Sequence, residues 1–190
     1  MKVIAPFALL LSALMLTGCG TMLASVEANP IEDQPDRRTV AQQVEDESIE
    51  VKAVVNIHAA DKGFDQSHLT VVSYNGFVLL AGQVATPELK TLAANELRDI
   101  TGVRRIYNEL EVGAPTSALT RTSDAWITTK IKSWLLGNFD TPGLRTKVVT
   151  ENGVVYLMGL VTQRDADRIA DVAASVAGVK RVVQLFEIIS

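Results

Sequence analysis

Residues 74–84 read Tyr-Asn-Gly-Phe-Val-Leu-Leu-Ala-Gly-Gln-Val, and residues 151–161 read Glu-Asn-Gly-Val-Val-Tyr-Leu-Met-Gly-Leu-Val. In both stretches an Asn-Gly pair stands between apolar runs. This is the strongest local signal for a β-hairpin, because Asn and Gly best tolerate the positive φ angles of a type I′ turn. One offset of 77 residues relates the glycines: Gly76 with Gly153, and Gly82 with Gly159. The repeat indicates a tandem duplication.

A helix is predicted to precede each hairpin. Asp46 and Asp124 are interpreted as the caps of these helices, because each stands just before an apolar stripe. The stripe residues lie four apart: Ile49, Ala53 and Ile57 in the first copy, and Ile127, Ile131 and Leu135 in the second. The two copies are therefore expected to open in the same way.

A second helix and a last strand are predicted to follow each hairpin. Thr86 and Thr162 are expected to open the helices, since a hydroxyl side chain is a preferred N-terminal cap. Gly102 and Gly178 are expected to end them, because glycine is the usual stop residue of a helix. The last strands are predicted at 103–110 and 179–188.

The order α-β-β-α-β, present twice, defines the expected fold class as α+β. Each copy is expected to form a three-stranded mixed sheet with two helices on one face. Gly82 and Gly159 are expected to mark a bulge or a close approach by a helix, since glycine otherwise weakens a strand. Structural roles at the turns and closing glycines are assigned to six residues: Asn75, Gly76, Gly82, Asn152, Gly153 and Gly159.

The 190 residues divide into five expected parts. These are a signal peptide at 1–18, an acylated Cys and flexible tether at 19–42, a first domain at 43–112, a linker at 113–120, and a second domain at 121–190. The tether lacks periodicity and is rich in charge and proline, which is typical of an unstructured connection. The linker is short and contains Pro115, so the domains are expected to pack on each other.

The N-terminus has the pattern of an exported lipoprotein. Lys2 precedes an apolar run at 7–16 that is too short to span a bilayer. The only Cys of the chain, Cys19, follows Leu-Thr-Gly, which resembles the bacterial lipobox. The resemblance implies attachment of acyl chains such as palmitate at Cys19, and Gly20 implies transfer to the outer membrane. The alternative is an ordinary secretory signal followed by an incidental Cys.

Composition and motifs argue against several classes of function. The net charge of −4 does not favour a nucleic-acid partner, and a single Cys excludes an internal disulfide. No phosphate-binding loop, dinucleotide fingerprint or nucleophile elbow is present, so we expect no cofactor and no catalysis. His58 and His68 bracket Asp61 and Asp65, a set that suits a weak metal site. The histidines are not repeated, and we interpret them as exposed and without a metal.

A family resemblance follows from the repeated motif. Asn-Gly-x-Val-x-Leu-x-Gly, then a helix, then Gly-Val-x-x-Val, resembles the BON domain of bacterial envelope proteins. Two copies behind a lipobox resemble the dual-BON outer-membrane lipoproteins of proteobacteria. The resemblance covers Cys19 and about 43–190. It implies a non-enzymatic protein anchored by lipid on the periplasmic face of the outer membrane.

The two copies differ most in charge and in aromatic residues. Residues 43–112 contain 6 basic and 11 acidic residues, a balance of −5, whereas 121–190 contain 9 and 7, a balance of +2. Both tryptophans lie on the first helix of the second copy, close to a lysine. This composition is typical of a membrane-interface contact. The residues assigned to phospholipid binding are Trp126, Lys130, Ser133, Trp134 and Leu136, and Phe139 in the following loop would deepen the contact.

Alternatives remain open for the tryptophans and for the function. The tryptophans would otherwise fill the domain interface or the core. The resemblance implies that this helix binds anionic phospholipid, such as phosphatidylglycerol or cardiolipin. It also implies a part in outer-membrane integrity, with enrichment at division sites. The alternative function is a periplasmic protein-binding adaptor for outer-membrane assembly machinery or for peptidoglycan-hydrolase regulation.

Overall fold

The computed structural model describes residues 38–137 and 142–189. The predicted signal peptide, Cys19, most of the predicted tether and Phe139 lie outside the described residues. Within them, a helix, a hairpin of two strands, a second helix and a last, interrupted strand follow one another twice. The predicted α+β fold with two αββαβ units is therefore confirmed.

The elements of the two units correspond one to one. The first unit contains α1 (Val40–Ala60), a 3₁₀ turn (Lys62–Gln66), β1 (His68–Tyr74), β2 (Phe77–Val84), α2 (Pro87–Asn95), β3 (Arg105–Asn108) and β4 (Glu111–Val112). The second contains α3 (Ala118–Gly137), a 3₁₀ turn (Gly143–Arg145), β5 (Thr146–Glu151), β6 (Val154–Val161), α4 (Gln163–Ala174), β7 (Arg181–Gln184) and β8 (Glu187–Ile188).

Helices α1 and α3 begin earlier than the sequence predicts. The hydroxyl of Thr39 accepts a hydrogen bond from the backbone N–H of Gln42, and that of Ser117 accepts one from Thr120. These contacts are N-terminal caps, which satisfy backbone donors that have no partner within the helix. The first turn of α1 therefore falls in the stretch expected to be tether, and that of α3 falls in the stretch expected to be linker.

Each sheet is built around the second strand of its hairpin. β2 pairs antiparallel with β1 and parallel with both β3 and β4. β6 pairs in the same way with β5, β7 and β8. Because β3 and β4 lie on the same side of β2, they form one interrupted strand, and each sheet has three strand positions as expected. The interruption lies opposite Gly82 in the first sheet and Gly159 in the second.

Asp46 does not cap a helix, which corrects the prediction from sequence. It lies inside α1, and its carboxylate accepts hydrogen bonds from the backbone N–H groups of Asn75 (2.7 Å) and Gly76 (2.9 Å). The hydroxyl of Ser73 and the guanidinium of Arg38 each donate to it at 2.6 Å. Burial opposes the charge, but these hydrogen bonds together hold the pKa of the Asp46 carboxyl below its ordinary value. Asp46 thus fixes the hairpin turn to the helix.

Asp124 makes the same kind of contact in the second unit and is likewise not a cap. Its carboxylate accepts from the backbone N–H groups of Asn152 and Gly153, both at 2.8 Å. Asn152 and Gly153 have φ angles of 50° and 76°. The left-handed backbone of a type I′ turn creates a concave set of N–H groups, which suits a buried carboxylate.

Gly82 and Gly159 lie inside strands, and the element that approaches them is a strand rather than a helix. A Cβ atom at Gly82 would lie 2.0 Å from the carbonyl oxygen of His68, and one at Gly159 would lie 2.7 Å from that of Arg145. Gly82 also has a φ angle of 112°, which side-chain-bearing residues avoid. Each glycine therefore admits the backbone at the start of the neighbouring strand. The antiparallel pairing continues by one residue past Gly82, whereas it ends at Gly159.

The second helices end before the predicted stop residues. α2 ends at Asn95 and α4 at Ala174, and turns connect them to Gly102 and Gly178. Gly102 and Gly178 have φ angles of 93° and 95° and direct the chain into the last strand. The glycines thus end the connecting turns, not the helices.

The described residues form three apolar cores, one within each unit and one between the units. Two cores lie between the helices and the sheet of the same unit, around Leu80 in the first and Leu157 in the second. The third lies between the two sheets, whose other faces meet through Leu79, Tyr156 and Met158. Burial raises the pKa of the Tyr156 phenol to about 12. The expected packing of the domains on each other is confirmed, and the layers run helices, sheet, sheet, helices.

Polar contacts surround the core between the sheets. The guanidinium of Arg104 donates two hydrogen bonds to the carboxylate of Glu187, at 2.9 and 2.7 Å. The side-chain amide of Asn75 donates to the same carboxylate at 2.7 Å. The contact with Arg104 is the main cause that lowers the pKa of Glu187 below its ordinary value. At another point, the amide of Gln83 donates to the carboxylate of Glu151 at 3.0 Å.

Candidate functional site

The outer face of α3 carries both tryptophans next to a lysine. Helix α3 buries Ile127, Ile131 and Leu135, the predicted core stripe. Trp126 and Trp134 remain 52% and 43% exposed. The ammonium nitrogen of Lys130 lies 5.5 Å from the ring centroid of Trp126 and 5.7 Å from that of Trp134. Residues four apart are neighbours on a helix, so the three side chains form one row, which we call the tryptophan row.

The exposure of the tryptophan row excludes one alternative drawn from sequence. The core between the sheets is formed by residues of the strands and their extensions, and neither tryptophan belongs to any of the three cores. The interpretation that the tryptophans fill the domain interface or the core is therefore wrong. Two large aromatic side chains beside a cation stand on the surface of the second unit.

Two other residues assigned to the site lie near the row without joining it. The hydroxyl of Ser133 is exposed and donates to the carbonyl oxygen of Thr129 at 2.9 Å, within the helix. Leu136 is 56% exposed. At 3.6 residues per turn it lies about 80° around the helix from Trp126 and about 160° from Trp134. The structure thus brings Trp126, Lys130 and Trp134 together, and places Leu136 on another part of the surface.

A groove of about 260 Å³ is lined in part by the first half of α3. Its walls include Leu119 and Ser123 of α3, the Asn152-Gly153 turn, and Lys180, which precedes β7. The ammonium of Lys180 donates to the side-chain oxygen of Asn152 at 3.0 Å. We call this cavity the Lys180 groove.

Leu119, Ser123 and Lys180 were missed from sequence. Leu119 is 80% exposed, and it precedes Trp126 by two helical turns, within about 20° on the same face. The predicted linker at 113–120 includes Leu119, because the sequence predicts a later start for the helix. The pair Ser117 and Thr120, a hydroxyl cap followed by its donor, is the signal that could have revealed the earlier start.

The matching helix of the first unit presents a different surface. α1 has Ser48 and Asn56 at the positions of Trp126 and Trp134, and Lys52 at the position of Lys130. Its outer face instead carries exposed valines: Val40, Val44, Val51 and Val55. The tryptophan row therefore belongs to the second unit only.

The two histidines occupy different environments. The ring nitrogen Nδ1 of His58 lies 2.9 Å from the carbonyl oxygen of Val54 on the surface of α1. The sequence predicts an exposed His68, but the structure places it half-buried as the first residue of β1. Its Nε2 atom lies 3.3 Å from the carboxylate of Glu151. Over 38–137 and 142–189, no group of three or more His, Cys, Asp or Glu is placed to hold a metal ion.

Helices α1, α2, α3 and α4 lie in the described part of the chain. None of those helices combines the length and the apolar character that crossing a bilayer requires.

Comparison with known proteins identifies the family to which the chain belongs. The model of the BON domain family matches residues 46–114 and 123–190. These two matches correspond to the two αββαβ units, and together they cover most of the chain. The chain belongs to the BON domain family and contains two copies of the domain.

Several named proteins are similar to this chain over most of their length. The outer membrane lipoprotein DolP of Haemophilus influenzae is 35% identical over 181 residues, which cover 95% of this chain and 94% of the relative. The 21 kDa hemolysin of Actinobacillus pleuropneumoniae is 38% identical over 150 residues, 79% of this chain and 77% of the relative. The osmotically-inducible protein Y of Escherichia coli K12 is 32% identical over 138 residues, 70% of this chain and 66% of the relative. The likeness identifies a dual BON-domain lipoprotein of the cell envelope.

Proposed function

We propose that this protein is a non-enzymatic outer-membrane lipoprotein whose second BON domain docks on anionic phospholipid through the tryptophan row. The observation that carries the proposal is the exposure of Trp126 and Trp134 on either side of Lys130, away from all three cores. The role we assign to this contact is to help maintain the outer membrane, with enrichment at division sites, while acylated Cys19 provides the permanent anchor.

The chemistry of the row suits the boundary between headgroups and acyl chains. Indole rings settle at this boundary because they combine a large apolar surface with one N–H donor. A lysine near an anionic membrane surface contributes about 1 kcal/mol. Lys130 lies between the two rings, so the apolar and the charged contacts are made on the same face of α3.

The balance of charge supports the choice of anionic lipid. The second copy is basic and the first is acidic, with balances of +2 and −5 over 121–190 and 43–112. An anionic surface therefore attracts the second unit and repels the first. This difference favours the orientation in which α3 faces the membrane.

Co-sedimentation with vesicles tests the proposal. The chain without its first 24 residues lacks the anchor and loses none of the described residues. We expect this protein to bind vesicles that contain phosphatidylglycerol and to ignore neutral ones. Trp126→Glu should lower binding at least tenfold, because it places a carboxylate against the anionic surface and removes an aromatic contact.

Val51→Glu is the matched control, since Val51 is an exposed apolar residue on the equivalent helix of the first unit. This variant should bind as the wild type does. A folded wild-type protein that binds neither kind of vesicle would show that lipid docking is wrong, and a protein-binding adaptor would then be the better hypothesis. Equal losses in Trp126→Glu and Val51→Glu would show that net charge, and not the tryptophan row, determines binding.

A further inference from the structure

Helix α1 has a second apolar stripe, on the side away from the core of its own unit. Val40, Val44, Val51 and Val55 are 61% to 76% exposed. At 3.6 residues per turn these positions fall within about 60° of one another and extend over about 22 Å. We call them the valine row. Its centre lies about 170° around the helix from that of the buried stripe. Folding of the first unit therefore leaves the valine row uncovered.

The second unit shows that folding does not require valine at these positions. Helix α3 has Ala118, Thr122, Thr129 and Ser133 at the equivalent positions, all of them exposed. The three hydroxyls donate to carbonyl oxygens four residues earlier in the helix, at 2.8 to 3.0 Å. Valine and threonine are both branched at Cβ and have similar helix propensities. Because the same fold accepts polar residues there, the valines of α1 are best explained by a contact outside the unit.

The valine row has the geometry of a surface on which another helix packs. Its residues are spaced by four, seven and four positions, the spacing that brings side chains to one face of a helix. Valine loses little freedom on burial, because its χ1 angle is already restricted in a helix. Over 38–137 and 142–189, no residue covers the row. A helix with apolar residues on two opposite faces is expected to be covered on both.

The charges beside the valine row indicate which kind of partner would cover it. Glu47 lies between Val44 and Val51, within about 20° of Val40, and is exposed. No cation in the described ranges forms an ion pair with Glu47. Lys52 is the only lysine or arginine of α1, and residues 43–112 have a balance of −5. A second copy of this chain would bring two acidic surfaces together, whereas a basic partner would meet opposite charge.

We propose that the valine row docks an amphipathic helix of another envelope protein, a helix whose apolar stripe is flanked by lysine or arginine. The stripe packs on the four valines, and a basic side chain pairs with Glu47. The first unit then holds a protein partner on α1, and α3 remains available for the membrane. The inference goes beyond the proposed function and does not depend on it, because it concerns a different helix.

A synthetic peptide tests the valine row. The peptide has about 16 residues, to match the length of the row, with leucines every three or four residues and lysines on the flanks. Fluorescence anisotropy measures its binding to the chain without its first 24 residues. We expect saturable binding to the wild type. A triple variant with Val44→Thr, Val51→Thr and Val55→Thr should bind about tenfold more weakly, because the contact buries less apolar area.

Two further peptides separate the apolar contact from the charge. One has the same composition in scrambled order, and the other has glutamate in place of each lysine. Both should bind about tenfold more weakly than the first peptide, or weaker still, because one lacks the stripe and the other repels Glu47. Val51→Lys, a single change, should also weaken binding of the first peptide, since it places a positive charge against a basic partner.

Val112→Thr is the matched control, because Val112 is an exposed valine of the first unit outside α1. It should bind the peptide as the wild type does, and unchanged thermal unfolding of each variant establishes that the fold is retained. A wild type that does not bind the first peptide, or a triple variant that binds it equally well, would overturn the docking surface. Equal binding of the scrambled peptide would do the same.

Two results would overturn the choice of partner. One is equal binding of the glutamate peptide. The other is a wild type that is dimeric by light scattering and a triple variant that is monomeric, which would assign the valine row to a second copy of this chain. The triple variant should sediment with phosphatidylglycerol vesicles as the wild type does. A failure of lipid docking in the wild type would therefore leave this inference unaffected.

Discussion

The two BON units have the same contact between the hairpin turn and the first helix, but they differ on the exposed face of that helix. Asp46 and Asp124 hold equivalent turns by equivalent hydrogen bonds. The outer faces share a lysine, Lys52 or Lys130, but otherwise differ, since α1 presents valines and α3 presents two tryptophans. In a duplicated chain, positions that repeat report what folding requires, and positions that do not repeat show where a separate function lies.

The largest effect expected from this comparison concerns the buried aspartates. Asp46→Ala should lower the free energy of unfolding by about 4 kcal/mol, because it leaves Asn75, Gly76 and Ser73 without their acceptor. Asp124→Ala removes the acceptor of two backbone N–H groups and should cost about 2 to 3 kcal/mol. Urea unfolding of both variants measures the difference. Equal losses would indicate that Ser73 and Arg38 add nothing to the first turn.

A second difference lies at the strand glycines. Gly82→Ala should cost on the order of 3 kcal/mol, because it combines a φ angle of 112° with a Cβ that would lie 2.0 Å from a carbonyl oxygen. Gly159→Ala should be milder, since its Cβ would lie 2.7 Å from the nearest carbonyl oxygen and its φ angle is not in the left-handed region. Thermal unfolding of the two variants ranks them. A larger loss for Gly159→Ala would contradict the assignment of strain to Gly82.

Acid should weaken the first turn through Asp46. Its pKa is lower in the folded protein than its ordinary value, so on acidification the unfolded chain takes up the proton first. The stabilisation is complete above a pH of about 4 and is lost as the pH falls through the folded value. Asp46→Asn should be less stable than the wild type at pH 7 and should lose less stability between pH 5 and pH 3. Unfolding in urea across this range measures both slopes, and parallel slopes would contradict the prediction.

The smallest effect is expected at the ion pair between the units. Arg104 is about half exposed, and exposed ion pairs typically contribute between 0 and about 1 kcal/mol. Arg104→Gln and Glu187→Gln, alone and together, form a double-mutant cycle in which the coupling energy should stay below about 1 kcal/mol. A coupling energy of several kcal/mol would mean that polar contacts, rather than the core between the sheets, hold the two units together.

Local signals in the sequence are sufficient to predict the repeated αββαβ fold. The Asn-Gly turns and the apolar stripes act over a few residues, and they predict both hairpins and the four helices found in the described residues. The roles of Asp46 and Asp124 were not predicted, because a carboxylate near a helix start resembles a cap unless its distant turn is known. Their position in line with the core stripe was the available clue, since a charged residue on that stripe needs a buried partner.

The candidate site was predicted in part. Trp126 and Lys130 were placed on the outer face by helical periodicity alone, whereas Trp134 lay at the border of the core stripe and needed the packing of the second unit to decide its exposure. The Lys180 groove could not be derived in this way. Its walls come from α3, the hairpin turn and the segment after α4, which are brought together only by the tertiary fold.

Because the core between the sheets joins two units of one chain, their association does not depend on protein concentration. Corresponding faces of the two units meet there, as in an isologous homodimer, but both lie on one chain. A dimer of single units would dissociate on dilution, whereas a short linker keeps the two partners together at any concentration. Because the linker joins both units in one chain, the two units can differ in sequence. The subunits of a homodimer cannot, since they have the same sequence. One half can therefore pair Arg104 with the carboxylate of Glu187, while the other half places Lys180 against an uncharged amide oxygen.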